Sequence, residues 1–127
     1  MADCVFDTSA LLALYLGEPG AESVMARLAG SCVSTVIASE VAAKLNDKGV
    51  PIGEANAVVA ELGVEIIDFT LEDAQAAAAL RGPTRKAKVS FADRACLALA
   101  QRLGLPLYTA DRPWTTLNLP LDIRLIR

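Results

Sequence analysis

The sequence contains no histidine among its 127 residues. Without histidine the chain has no Ser-His-Asp or Cys-His triad, no histidine general base and none of the common histidine-bearing zinc sites. Any hydrolytic chemistry must therefore use carboxylates, of which the chain has 15. Carboxylates of this kind suit a hard metal ion.

Long apolar runs and cysteine motifs are also missing. No stretch approaches the roughly 18 residues that a membrane span requires, and the N-terminus lacks the basic segment and cleavage site of a signal peptide. We therefore expect a cytoplasmic protein that does not enter a membrane. Cys4, Cys32 and Cys96 lie in apolar segments without CxxC spacing, which predicts buried free thiols.

Basic residues are scarce in the first part of the chain. Residues 1–80 carry twelve acids and three bases, a net charge of −9, whereas residues 81–127 carry nine bases and three acids, a net charge of +6. The total of −3 conceals this asymmetry. A basic C-terminal part can attract nucleic acid, although a solvated surface explains the charge equally well.

Short apolar runs alternate with longer helical patterns along the chain. Strands are predicted at Cys4–Phe6, Cys32–Val33, 64–69 and 107–109, with a last edge strand in 121–126. Helices are predicted at Thr8–Leu16, Ala21–Leu28, from Ser34 or Thr35 to about Lys48, at Ile52–Leu62, from Thr70 to about Arg81, and at Ser90–Leu103. Residues 81–89 are predicted to form an exposed loop. This order predicts one α/β domain over residues 1–127, a three-layer α/β/α sandwich with a mostly parallel central sheet.

Four acids fall at strand ends or helix starts. Asp7 follows the first strand and Asp111 follows the strand at 107–109, so both should emerge at the edge where α/β sheets bind ligands. Glu40 lies in the first turns of the helix after Cys32–Val33, and Asp93 lies in the first turn of the helix from Ser90. Both can point back to that edge.

Each of these acids also has a structural explanation when it is considered alone. Asp7 fits a helix N-cap, and Asp93 fits a capping box. Glu40 stands four residues before a lysine, which favours a surface ion pair, and Asp111 can begin a turn.

Taken together, four neighbouring carboxylates would repel one another and raise their own pKa values unless a cation held them. Mg²⁺ or Mn²⁺ favours oxygen ligands of this kind. Such an ion lowers the pKa of a bound water and stabilises the attacking and leaving oxygens in phosphodiester cleavage. The acids therefore predict a metal-dependent hydrolytic site.

Four motifs in chain order resemble those of the PIN-domain ribonucleases. They are VFDTSALLALYLGEPGAE from residue 5, VSTVIASEV from residue 33, VSFADRACLALA from residue 89 and YTADRPW from residue 108. More narrowly, the chain resembles the VapC toxins of bacterial toxin–antitoxin pairs. The resemblance extends over essentially all 127 residues.

The resemblance implies a PIN-like sandwich whose acidic pocket binds Mg²⁺ or Mn²⁺ and cleaves single-stranded or looped RNA. The family's catalytic and metal-binding acids correspond to Asp7, Glu40, Asp93 and Asp111. Supporting hydroxyl groups correspond to Thr8, Ser9 and Thr109. The resemblance further implies a homodimer and a VapB-type antitoxin that covers the pocket.

Four basic side chains are candidates for binding RNA phosphates near the acids. They are Arg85, Lys86, Lys88 and Arg112. A solvated loop is the alternative for the first three.

Two other functions stay open at this point. An aspartate-nucleophile phosphatase would also place an acid after the first strand, although the second residue beyond Asp7 is Ser9 and not the aspartate of a DxD motif. A non-catalytic interaction module of the same fold would keep the acids for stability or for binding a partner.

Overall fold

Five short parallel strands form one sheet at the centre of the protein. A computed structural model, which describes all residues from Met1 to Arg127, places them at β1 (Cys4–Phe6), β2 (Ser31–Ser34), β3 (Glu65–Ile67), β4 (Leu107–Thr109) and β5 (Ile123–Leu125). Their spatial order is β3-β2-β1-β4-β5. The three central strands are wholly buried and the two edge strands are partly exposed. This arrangement confirms the predicted parallel sheet and its last edge strand.

Seven α-helices connect these strands and cover the sheet. They are α1 (Thr8–Leu16), α2 (Ala21–Arg27), α3 (Thr35–Asp47), α4 (Ile52–Glu61), α5 (Leu71–Ala79), α6 (Arg81–Thr84) and α7 (Phe91–Leu103). None of them combines the length and the apolar content that a membrane crossing needs. The helices and the parallel sheet agree with the predicted α/β/α sandwich.

Local capping residues explain where most of the helices begin. The Asp7 side chain accepts a hydrogen bond from the Ala10 amide, and the Ser34 hydroxyl accepts one from Val36. Complete capping boxes open α5 and α7, where Thr70 and Ser90 exchange hydrogen bonds with the aspartates at the third helical positions. These starts agree with the predicted ones because they depend on residues that are close together in sequence.

Helix α7 is the central helix of the core. Its Ala95–Ala100 segment is buried, and the helix packs on β1, β2, α3 and α5. Alanines at three of these positions let the helix lie close to the sheet, while Leu97 and Leu99 fill the space between the layers. The three cysteines are free and buried in the same core, as predicted.

The predicted loop at residues 81–89 is wrong for most of its length. Residues Arg81–Thr84 form α6, and Arg85–Ala87 form a 3₁₀ turn. Pro83 lies in the first turn of α6, where a helix does not need its missing N–H and where its fixed φ is suitable. The Thr84 hydroxyl is buried and donates to the Leu80 carbonyl at 2.7 Å. The segment therefore continues the helical layer and keeps its basic side chains exposed.

Candidate active site

Strand order brings the four predicted acids to one edge of the sheet. Asp7 directly follows β1, and Asp111 is two residues beyond the end of β4. Strands β1 and β4 are parallel neighbours, with Phe6 opposite Tyr108, so their carboxyl ends lie side by side. Helices α3 and α7, which carry Glu40 and Asp93 in their first two turns, begin at the same edge.

Asp7 is the most buried of these acids, with 4% of its surface exposed. Its Oδ1 accepts hydrogen bonds from the Ser9 hydroxyl at 2.7 Å and from the Ala10 amide at 2.9 Å. Its Oδ2 accepts one from the Thr109 hydroxyl at 2.5 Å. One carboxylate oxygen therefore caps α1, while the other faces β4.

The hydroxyl groups of Ser9 and Thr109 connect the two strand ends. Thr109 Oγ1, which is fully buried, also accepts a hydrogen bond from the Asp111 amide at 3.0 Å. Ser9 Oγ accepts one from the Ala110 amide at 2.9 Å. The backbone that carries Asp111 is thus fixed relative to Asp7 by two hydroxyl groups, each of which donates to the Asp7 carboxylate.

Glu40 is held by the first residue of α1. The Thr8 hydroxyl donates to Glu40 Oε1. None of the ion pairs in the structure includes Glu40 or Lys44, so the alternative surface pair is not formed. The long-range contact to Thr8 replaces the local one.

Asp93 and Asp111 lie on the more open side of the site. Asp93 Oδ2 accepts a hydrogen bond from the Ser90 amide at 2.9 Å, so the predicted capping box is present. The Asp111 carbonyl accepts from the Trp114 amide at 3.1 Å and begins a 3₁₀ turn over Arg112–Thr116, so the predicted turn is also present. Asp93 is half-buried, whereas Asp111 is exposed.

The pKa values of Asp7 and Asp93 are raised mainly by burial and, to a smaller extent, by neighbouring negative charge. Burial raises the pKa of Asp7 from 3.8 to about 6, although hydrogen bonds from Thr109, Ser9 and the Ala10 amide oppose the rise. Burial also raises the pKa of Asp93, and the charges of Glu40 and Asp111 raise it further. None of the ion pairs in the structure includes any of these four acids.

The ligand type and charge of this site fit a hard divalent cation such as Mg²⁺ or Mn²⁺. All the candidate ligands are carboxylate oxygens, and Asp7 Oδ2 accepts only one hydrogen bond. The nearby Cys96 thiol is fully buried, and burial together with the charges of Asp7 and Asp93 raises its pKa far above the usual value, which makes it unsuitable as a ligand. As the side chains stand, no three acidic or cysteine groups lie close enough together to hold a metal ion.

The four basic candidates lie outside this cluster of acids. Arg85, Lys86 and Lys88 are exposed on the turn that precedes α7. Arg112 is exposed as well, and its Nη2 donates to the Arg127 carbonyl at 3.2 Å. The first three therefore remain free to contact a ligand that approaches the start of α7.

The sequence prediction missed one exposed aromatic side chain, which lies at the start of the helix that carries Asp93. Phe91 is the first residue of α7, and 51% of its surface is exposed. Its ring meets the Phe69 ring edge-on, with 5.7 Å between the centroids, and the Arg94 guanidinium lies 5.8 Å from its centroid. The sequence signal is weak, because an aromatic residue after an N-cap is as consistent with core packing as with exposure.

Comparison with known proteins assigns the chain to a family. The sequence model of the PIN domain matches residues 4–117, a range that contains all four acids, and the chain therefore belongs to the PIN-domain family. This confirms the family resemblance of the four motifs. No curated protein sequence matches the chain.

Solved structures with the same fold include toxin–antitoxin proteins. A toxin–antitoxin complex from Klebsiella pneumoniae is 21% identical, with 98% of each chain covered and a TM-score of 0.76. DNA-bound VapBC from Salmonella typhimurium is 17% identical, with 100% of each chain covered and a TM-score of 0.75. VapC20 from Mycobacterium tuberculosis, a sarcin-ricin loop cleaving toxin, is 19% identical, with 96% of this chain and 99% of that chain covered and a TM-score of 0.78. At these identities the likeness shows a common fold.

Proposed function

We propose that the protein is a metal-dependent endoribonuclease and the toxin of a VapBC-type toxin–antitoxin pair. The observation that carries this proposal is the buried Asp7 carboxylate, which is linked through Thr109 to Asp111 and lies beside two further acids without a basic partner. Family membership and the likeness in fold to toxin–antitoxin structures support the same function.

In this proposal the four acids hold Mg²⁺ or Mn²⁺. A bound ion would lower the pKa of a water molecule and offset charge on the attacking water oxygen and on the leaving ester oxygen of the phosphodiester. The residues of the chain orient the ligands. Ser9 donates a hydrogen bond to Asp7 Oδ1 and Thr109 donates one to Asp7 Oδ2, while Thr8 donates one to Glu40, so two of the four carboxylates have defined orientations.

Thr109 also has a second effect on the site. By accepting the Asp111 amide, its oxygen directs its own proton toward Asp7 Oδ2 and fixes the turn that carries Asp111. Thr109 therefore fixes the Asp7 carboxylate and the backbone of Asp111 relative to each other before substrate arrives.

The substrate and partners in this proposal follow from charge and family. The exposed cations Arg85, Lys86, Lys88 and Arg112 are proposed to bind phosphates of RNA. We further propose that residues 1–127 act as one PIN-like domain in the cytoplasm, form a homodimer and are inhibited by a VapB-type antitoxin.

No observation favours the phosphatase alternative. Both oxygens of Asp7 accept hydrogen bonds, and the side chain is almost wholly buried, so it is poorly placed to attack a phosphomonoester. A covalent phosphoryl adduct on Asp7 would revive that function.

RNA cleavage by the purified protein tests the proposed function. We expect cleavage that requires Mg²⁺ or Mn²⁺, stops with a chelator and is lost in Asp93→Asn, while Glu72→Gln on the exposed face of α5 keeps it. Sequencing of RNA ends after brief expression of the wild type and of Asp93→Asn identifies the cleaved RNA. Chelator-resistant cleavage by a folded Asp93→Asn variant contradicts the proposal.

A further inference from the structure

Phe91 stands apart from the other two phenylalanines of the chain. Phe6 is fully buried and Phe69 is half-buried, whereas 51% of the Phe91 surface is exposed. An exposed aromatic ring costs free energy in water unless something covers it. Phe91 begins the helix that carries Asp93, so a ligand bound near the acids is a candidate to cover the ring.

The ring is held in a defined orientation at the carboxyl edge of the sheet. Phe69, which follows β3, meets it edge-on, and the Phe69 amide donates to the Thr35 hydroxyl at the start of α3 at 3.1 Å. Arg94 Nη1 donates to the Ala77 carbonyl at 3.0 Å, which keeps its guanidinium beside the Phe91 ring. An aromatic surface held in this way loses little side-chain entropy on binding.

Phe91 and Asp93 lie close together in sequence but face different directions. Both residues lie in the first turn of α7, and positions two apart on a helix differ by roughly 200° around its axis. The ring therefore projects from nearly the opposite side of the helix to the carboxylate. An RNA strand that crosses the start of α7 would place different nucleotides at the ring and at the acids.

The charges around Phe91 favour a polyanionic partner. Arg94 lies beside the ring, and Arg85, Lys86 and Lys88 are exposed on the turn that leads into α7. An exposed ring with one cation beside it and three more on the preceding turn matches the way proteins bind single-stranded RNA by stacking its bases.

We propose that the ring of Phe91, held by Phe69 and Arg94, stacks with an unpaired nucleobase of the RNA strand that is cleaved at the acidic edge. The inference rests on the proposed ribonuclease function and adds a base-binding subsite to it. Since every base has an aromatic face, this subsite selects unpaired over paired RNA and does not select a particular base.

A fluorescence binding experiment tests the stacking directly. The probe is a short oligouridylate that carries a single 2-aminopurine, and all proteins contain Asp7→Asn so that the RNA stays intact. We expect 2-aminopurine quenching with Phe91 present, and an affinity roughly five-fold to a hundred-fold weaker in Phe91→Ala. Phe91→Tyr should restore both quenching and affinity. Leu71→Ala, at an exposed apolar residue that starts α5, is the matched control and should bind as before.

An abasic RNA separates stacking from a general loss of structure. If the ring stacks with a base, removing that base weakens binding to the Phe91-containing protein and has no further effect in Phe91→Ala. Equal RNA affinity of the Phe91 and Phe91→Ala proteins overturns the inference. So does a weaker affinity of Phe91→Ala if removal of the base still weakens RNA binding as much in that variant as in the protein with Phe91. A variant that binds RNA normally and fails only to bind a protein partner also overturns it.

Steady-state cleavage distinguishes this inference from the proposed function. In protein with Asp7 intact, we expect Phe91→Ala to raise KM for RNA more than it lowers kcat, and Phe91→Tyr to restore KM. Unchanged kinetics in Phe91→Ala overturns the stacking subsite and leaves the ribonuclease proposal intact. Absence of any RNA cleavage by the wild type overturns the ribonuclease proposal itself.

Discussion

Two features of Asp7 have opposite effects on the ionisation of its carboxyl group. Its Oδ1 caps α1 by accepting the Ala10 amide, which favours the ionised form, but the side chain is almost wholly buried, which disfavours it. The net effect raises its pKa to about 6. A buried carboxylate that is ionised without a basic partner destabilises the fold, and a bound cation would relieve that cost.

Asp7→Asn should therefore stabilise the metal-free protein at neutral pH while removing activity. The pKa of Asp7 is higher in the folded than in the unfolded protein. Asp7 therefore costs the fold little stability below about pH 4, and the cost grows as the pH rises through about 6. At about 1.4 kcal/mol per pKa unit, the cost at pH 7.5 is on the order of 3 kcal/mol. Urea denaturation without divalent ions should show Asp7→Asn to be more stable than the wild type at pH 7.5, with the difference vanishing near pH 4.

Added Mg²⁺ provides the control for that prediction. It should raise the free energy of unfolding of the wild type and leave that of Asp7→Asn almost unchanged. A folded Asp7→Asn variant that is less stable than the wild type at pH 7.5 without Mg²⁺ would show that the hydrogen bonds of the carboxylate outweigh its burial.

Thr109→Val should harm both stability and activity. The substitution keeps the shape of a fully buried residue but removes the donor to Asp7 Oδ2 and the acceptor of the Asp111 amide. Leaving buried polar groups without partners costs about 1–3 kcal/mol, and the pKa of Asp7 should rise further because the Thr109 hydrogen bond lowers it. Urea denaturation and RNA cleavage rates measure the two effects.

Thr109→Ser is the matched variant, since it keeps the hydroxyl. We expect it to retain most of the activity and to lose only the contribution of one buried methyl group. Equal activity in Thr109→Val and Thr109→Ser would mean that the hydroxyl does not position the acids.

An ion pair between Asp73 and Arg102 joins helices α5 and α7, and it includes none of the four acids of the candidate site. Asp73 caps α5 by accepting the Thr70 amide at 3.2 Å, and it also accepts Nε and Nη2 of Arg102 at 2.7 and 3.1 Å. Burial raises the pKa of Asp73, but the hydrogen bonds and charge of Arg102, with those of Thr70, outweigh it and hold the pKa below its usual value. The same carboxylate thus starts one helix and binds it to the next.

Asp73→Asn should lower stability by about 1–3 kcal/mol because it removes a charged partner from a bidentate pair. Since folding lowers the pKa of Asp73, the stabilisation is full above its unfolded pKa near 4 and is lost as pH falls below that value. Thermal unfolding at pH 7 and pH 3 should show a large difference from the wild type at the first pH and a small one at the second.

Glu72→Gln tests the specificity of this effect, because it removes a neighbouring exposed carboxylate that has no ion pair. It should change stability little at either pH. RNA cleavage by Asp73→Asn at a temperature where it is folded should match the wild type, and a selective loss of kcat would connect this pair to the active site.

The molecule as a whole has an uneven charge distribution. Most of the negative charge lies in residues 1–80, and most of the positive charge follows Leu80. In the structure, the turn that leads into α7 brings three of these cations to the edge that carries the acids. Under the proposed function, these cations would attract RNA to the acidic edge of a protein whose net charge is negative.

Replacing Arg85 and Lys86 together by alanine should weaken RNA binding and reduce its dependence on salt. If each side chain contacts one phosphate, the slope of log K against log salt should fall in magnitude by about 1.4, since a single-strand contact contributes roughly 0.7. The measurement is a titration of a short RNA at several salt concentrations.

The matched control replaces Lys44 and Lys48 by alanine. Both are exposed and lie at the C-terminal end of α3, whereas Glu40 lies near its start. This double variant has the same net charge as the first and should keep the wild-type slope. An equal reduction in both double variants would mean that net charge, and not the turn before α7, determines RNA binding.

Most of the fold could be predicted from the sequence because its signals are local. Short apolar runs predicted the strands, and the caps at Asp7, Ser34, Thr70 and Ser90 predicted where helices begin. The same local pattern placed four acids after strands or at helix starts, which is enough to identify candidate ligands. Each of these features depends on residues only a few positions apart.

Only the tertiary structure decided how those elements act together. The pairing of β1 with β4 places Thr109 on Asp7 across 102 positions of sequence, and the contact from Thr8 determines the orientation of Glu40. Burial, which depends on the whole core, raises the pKa of Asp7 and leaves Phe91 exposed. The sequence by itself determined which groups are available, whereas the long-range packing of the sheet determined their distances, their solvation and hence their chemistry.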